Sequence, residues 1–146
     1  MTQLSPHFTL AELTSSEVAE RFGWDNTPNE SEMENLRRLA AFLEEVKSVL
    51  GGKPIMVNSA FRSKLVNDAV GSKDTSQHRV GCAADIRVPG MTPDEVVKTV
   101  IASKIGYDQV IREFDRWTHI SVPNTKDAAP RRQALIIDKQ GTRPYV

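Results

Sequence analysis

An α+β arrangement, a single small domain with helices packed on a mainly antiparallel sheet, is predicted by three features of this 146-residue sequence. One long stretch of helical periodicity comes early, short apolar runs bounded by turn residues alternate with further helices, and the last runs lie close enough to pair as a hairpin. A hydrophobic content of 39% over this length suffices for one domain, residues 1–146, that closes its core without disulfides.

The opening segment reads as two short helical turns, started by Thr9-Leu-Ala-Glu12 and Ser16-Glu17, and a loop from Gly23 to Pro28 that wraps the core. Asn29 with Glu32 forms a capping-box pattern. Met33, Leu36, Leu39, Ala40, Leu43, Val46 and Leu50 follow at three- and four-residue steps, so the longest helix runs here and stops at Gly51-Gly52 and Pro54. Ile55-Met-Val57 predicts a short strand, Ser63 to Val70 a short helix stopped by Gly71, and Ser72 to Gln77 a loop. Ala83 to Val88 predicts a central strand. Thr92-Pro93-Asp94-Glu95 supplies a cap, a first-turn proline and an acidic third position for a helix ending near Ser103 to Gly106. Gln109 to Phe114 and Trp117 to Val122 flank Asp115-Arg116 as a hairpin, and Ala134 to Ile137 adds a last strand, with the final strands expected to be antiparallel.

Nineteen basic residues balance nineteen acidic ones, so no net field draws the chain to nucleic acid or an anionic membrane. Cys82 has no partner for an intramolecular disulfide and is expected as a small buried residue in a protein made in a reducing compartment. The amino terminus lacks the basic start and apolar stretch of a secretory signal, and no window is apolar enough to span a bilayer. A monomer made in the cytoplasm, with no nucleic-acid partner and no membrane insertion, is expected.

His78 and Asp85 lie seven residues apart in Ser76-Gln-His-Arg-Val-Gly-Cys-Ala-Ala-Asp85, and His119 sits in Trp117-Thr-His-Ile-Ser121. Two imidazoles and a carboxylate can make a three-ligand zinc site with a position left for water, the composition of catalytic rather than structural zinc sites. Gly81 allows a close turn between the first two residues, and Ala83 and Ala84 leave room. Taken singly, the same residues read as a loop histidine, a turn-capping aspartate and a half-buried strand histidine. Ser76, His78 and Asp85 also include the residue types of a serine triad, but the Gly-x-Ser-x-Gly elbow is absent. His7 has no assigned role.

The same residues, together with His7-Phe-Thr-Leu-Ala-Glu12, Asn26-Thr-Pro28, Asn58-Ser-Ala-Phe-Arg-Ser63, Asn67-Asp-Ala-Val-Gly71 and Tyr107-Asp-Gln109, give the chain a family likeness. It resembles the M15 zinc peptidase superfamily of D-Ala-D-Ala carboxypeptidases and L,D-endopeptidases, in particular its small single-domain phage and bacterial members. The resemblance implies a hedgehog/D-Ala-D-Ala-peptidase-like fold and Zn2+ held by His78, Asp85 and His119. It also implies that Arg62 faces the reacting carbonyl or a substrate carboxylate. Ser76 and Gln77 could orient ligands or substrate, and a polar loop explains them equally well.

Many such relatives carry glutamate three residues before the last histidine, where this chain has Arg116. Glu113 and Asp115 are the nearby acids. A three-residue connection at Asp115-Arg116-Trp117 puts Glu113 opposite His119 on one sheet face, whereas a two-residue connection turns it away. Glu113 is therefore expected as general base, partly because small relatives resemble this Glu-Phe arrangement, with Asp115 second. Asp108 is expected to be structural, with a bond to a ligand histidine as its alternative role.

The implied activity is hydrolysis of a peptide bond in the peptidoglycan stem peptide at the bacterial wall, by a phage lysis enzyme or a cell-wall carboxypeptidase or endopeptidase. A cytoplasmic D-Ala-D-Ala dipeptidase is one alternative. A wall-binding or structural phage protein without turnover is the other, motivated by the displaced base.

Overall fold

The computed structural model describes residues 2–145. Along the chain it forms β1 (Gln3–Ser5), β2 (Phe8–Thr9), α1 (Leu10–Thr14), α2 (Glu17–Phe22), α3 (Glu30–Val49), β3 (Met56–Ser59) and α4 (Lys64–Ala69). A 3-10 turn (Gln77–Val80) follows, then β4 (Ala83–Arg87), α5 (Pro93–Ala102), β5 (Gln109–Glu113), β6 (Trp117–Ser121), β7 (Gln133–Asp138) and β8 (Gly141–Pro144). The expected α+β architecture is present: a six-stranded sheet in the order β3-β4-β6-β5-β7-β8, beside a two-stranded ribbon of β1 and β2.

Helix α3 begins where the capping box places it. Glu32 N donates to Asn29 Oδ1 and Asn29 N to Glu32 Oε1, both at 2.8 Å. Its apolar stripe, Leu36, Leu39, Leu43 and Val46, is fully buried against Ala84, Ile86, Val110 and Ile120 of the sheet and Val97 and Val100 of α5. Each such leucine contributes roughly 1.5–3 kcal/mol relative to an exposed position. The helix also sets the next element in place, because Glu32 Oε2 accepts from Arg79 Nη1 at 2.8 Å and Asn35 Nδ2 donates to Val80 O at 2.9 Å. Gly81 then turns the chain at φ +82, where an added Cβ would lie 3.0 Å from Glu32 O. Only glycine meets both demands.

The sheet pairs antiparallel at β3–β4, β4–β6, β5–β6 and β7–β8, but β7 runs parallel to β5. This corrects the expectation that the final strands would all be antiparallel, and the cause is topological. The far edge of β6 is already taken by β4, so the returning chain must pair on β5. The loop after Ser121 brings it back to the start of β5, where Arg132 N donates to Tyr107 O and Gln133 N to Asp108 O. Entering at that end, β7 necessarily runs the same way as β5. Strand β8 was not anticipated; Asp138 nucleates its turn by accepting from Gln140 N at 2.9 Å and pairing with Arg143 at 2.8 Å. The β1–β2 ribbon was likewise not read from the sequence.

Candidate metal centre

Alternation along the strands separates two faces of the sheet. Ala84, Ile86 and Ile120 point to α3, so their neighbours Asp85 and His119 point to the other side, directly paired across β4 and β6. His78 reaches this face from the 3-10 turn. Its Nδ1 lies 2.7 Å from Ala60 O, and because a carbonyl can only accept, Nδ1 carries the proton and the Nε2 lone pair is free. Asp85 Oδ1 is 3.3 Å from His78 Nε2 and 3.1 Å from His119 Nδ1.

His78, Asp85 and His119 are all buried, and one donor atom from each lies within 4.8 Å of the others. Donors bound to one zinc ion at about 2.0–2.1 Å with tetrahedral angles lie about 3.3–3.4 Å apart. The separations around Asp85 Oδ1 are close to that spacing, so the three residues fit a zinc ion in both chemistry and distance. Protonation suits the same role. Burial lowers the His78 pKa against the pull of Asp85, favouring neutral imidazole. Burial works to raise the Asp85 pKa, but contact with the His78 and His119 imidazoles outweighs it and holds the carboxyl below the usual range.

Arg62 is positioned by hydrogen bonds to its own backbone and to that of its two neighbours. Arg62 N donates to His78 O at 2.9 Å, Phe61 N to Leu13 O at 2.9 Å, and Asn26 clamps the loop by donating to Phe61 O and accepting from Ser63 N. Its Nε donates to Ser59 Oγ at 3.2 Å and its Nη2 lies 3.4 Å from Asp85 Oδ2. The guanidinium therefore borders the cluster. Burial lowers its pKa, opposed by Asp85 and Glu113.

The hairpin connection has three residues, but they are Phe114-Asp115-Arg116 rather than Asp115-Arg116-Trp117. Phe114 and Asp115 both take φ 53, which closes the turn one residue earlier. Glu113 consequently pairs with Trp117, and Ile111 with His119. A register change of two preserves the face, so Glu113 stays on the side of His119, with Oε1 3.9 Å from His119 Nδ1. Burial raises its pKa, as does Asp85, against opposing effects of His119 and Arg62. Asp115 does not join the cluster: it is 71% exposed and paired with Arg112 Nε at 3.0 Å.

Ser76 caps the 3-10 turn by accepting from His78 N at 3.2 Å. Gln77 Nε2 donates to Asp108 Oδ2, Val122 O and Asn124 Oδ1 at 2.9–3.0 Å. Asp108 contacts Gln77 and Arg131 rather than a ligand histidine, and Arg131 Nη2 donates to it at 2.6 Å. Arg131 and the clamping role of Asn26 were missed in the sequence. Their partners lie 23 and 37 residues away, and no local spacing announces such contacts.

Fold and donor set together form a buried His-Asp-His cluster that could hold a metal ion. A family model described as Peptidase M15 matches residues 6–121, and the chain belongs to that family of generally zinc-dependent peptidases. The matched span contains Arg62, His78, Asp85, Glu113 and His119, and ends before β7. No curated protein matches the chain. Among the described residues no helix is long and apolar enough to cross a membrane.

Proposed function

We propose that this chain is a zinc-dependent peptidase that hydrolyses a peptide bond in the peptidoglycan stem peptide at the bacterial wall. The observation that carries the reading is the convergence of His78 Nε2, Asp85 Oδ1 and His119 Nδ1, with the Glu113 carboxylate 3.9 Å from the last of them. Zn2+ bound there would polarise the scissile carbonyl and lower the pKa of a water molecule. Glu113 accepts the proton released as water attacks and returns it to the leaving amine; its raised pKa suits a group that must do both. Arg62 offers N–H donors to the carbonyl oxygen as charge develops. Ala60, through its carbonyl, fixes the His78 tautomer that this arrangement requires.

The test is incubation of the protein with purified peptidoglycan and with free D-Ala-D-Ala, with zinc or with a chelator, and mass spectrometry of the new termini. Zinc-dependent release of stem-peptide fragments is the expected result. Cleavage of the dipeptide alone would assign a dipeptidase, and binding to the wall without cleavage would overturn the enzymatic reading. As a phage lysis enzyme, the finer form of the proposal, the protein would also clear permeabilised bacterial suspensions.

A further inference from the structure

Strand β3 stands at one end of the sheet order, so one of its edges pairs with β4 and the other meets no strand among the described residues. A cleft of about 640 Å3 lies beside that edge, lined by Val57 and Ser59 of β3, Ser16 and Val18, Val66 of α4 and Val70 just after it. Arg62 and Arg87 both line it. Arg62 also lies 3.4 Å from Asp85 Oδ2, so this one residue borders both the cleft and the candidate metal centre. Arg87 follows Asp85 by two residues on β4, so its side chain leaves the same face about 6–7 Å further along the strand. That offset equals about two residues of an extended peptide.

Arg87 differs from several of the arginines near the sheet. Arg79, Arg112, Arg131 and Arg143 are each paired with a carboxylate. Among the described residues Arg87 has no such pair; its Nε donates to Asn58 Oδ1 at 3.2 Å, which orients the guanidinium while leaving its charge uncompensated. Glu17 also lines the cleft, so a carboxylate is favoured near Arg62 and Arg87 and disfavoured beside Glu17. An open strand edge offers backbone hydrogen bonds to an extended chain, and side-chain pockets beside it provide selectivity.

We propose that this cleft is the subsite for an extended segment of the peptide substrate, and that Arg87 takes a free carboxylate carried about two residues from the scissile bond. The proposal rests on the peptidase reading and adds a specificity-determining residue to it. The peptidoglycan stem offers such a group wherever a γ-linked glutamate keeps its α-carboxylate, and loses it where that carboxylate is amidated.

The experiment uses two fluorescent stem-like peptides, identical except that the glutamate α-carboxylate is free in one and amidated in the other. Binding is read by anisotropy in the presence of a chelator, so that turnover plays no part. Wild type is expected to bind the carboxylate peptide about tenfold more tightly than the amide, a difference that falls below about twofold in Arg87→Gln and is partly kept in Arg87→Lys. Equal binding of the two peptides by wild type, or a preference that survives in Arg87→Gln, would overturn the proposal. The peptidase reading is tested separately by adding zinc to wild type: failure to cleave either peptide counts against that reading, whatever the binding data say.

Discussion

The two faces of the central sheet are built from the same strands to opposite ends. Toward α3, Ala84, Ile86 and Ile120 are wholly or almost wholly buried in an apolar layer. One residue along each strand, Asp85 and His119 are also buried, though at 7% and 8% exposed slightly less so, beside Glu113 and Arg62. Burying charge costs several kcal/mol per ion before compensation, whereas burying a leucine is favourable. One face thus holds the fold together, and the other uses the rigidity that results to keep unlike charges a few ångströms apart.

The contrast is broken most sharply by His119→Ala. Loss of one donor is expected to leave no bound zinc by elemental analysis and to reduce turnover toward the uncatalysed rate, at least about 10⁶-fold. Next is Glu113→Gln, expected to lower kcat by about 10²–10⁴-fold while zinc content stays at about one per chain. Asp115→Asn should change it by less than about twofold, since that carboxylate sits in solvent against Arg112. A fully active Glu113→Gln beside an inactive Asp115→Asn would reverse the assignment of the base.

On the opposite face Leu39→Ala is expected to cost about 2–5 kcal/mol in denaturant unfolding, with kcat per folded molecule unchanged. A selective loss of zinc affinity at unaltered stability would show that the faces are not separable in this way. A smaller stability effect than that of Leu39 belongs to Asp108. Burial works to raise its pKa, but Arg131 and Gln77 outweigh it and hold the carboxyl below its ordinary value. The stability this contributes is present above about pH 4 and is lost as pH falls through the lower folded value. Asp108→Asn should therefore flatten the acid limb of a melting-temperature profile and cost roughly 1–3 kcal/mol at neutral pH.

The parts of this design legible in the sequence are those written in local spacing. The α3 stripe, the three capping boxes and the Gly81 turn between His78 and Asp85 are read within a few residues. The donor cluster was legible from the residue types of His78, Asp85 and His119 together with the family likeness, with β4 and the hairpin carrying the last two as expected. The register was not, because it depends on Phe114 and Asp115 both adopting positive φ, for which Asp115 gives only a weak signal and Phe114 none. The parallel entry of β7 depends on which sheet edge is vacant, and that becomes known only once β4 has paired with β6. Asn26 and Arg131 act across long sequence distances for the same reason.

Strand β7 lies outside the span matched by the family, yet it covers the outer side of the strand that carries Glu113, and Phe114 N donates to Ile137 O at 2.9 Å. A protein trimmed after Ser121 would retain all three candidate metal donors but present β5 as a raw, self-adhesive border. Such a fragment is better suited to seeding fibrils than to serving as a minimal enzyme.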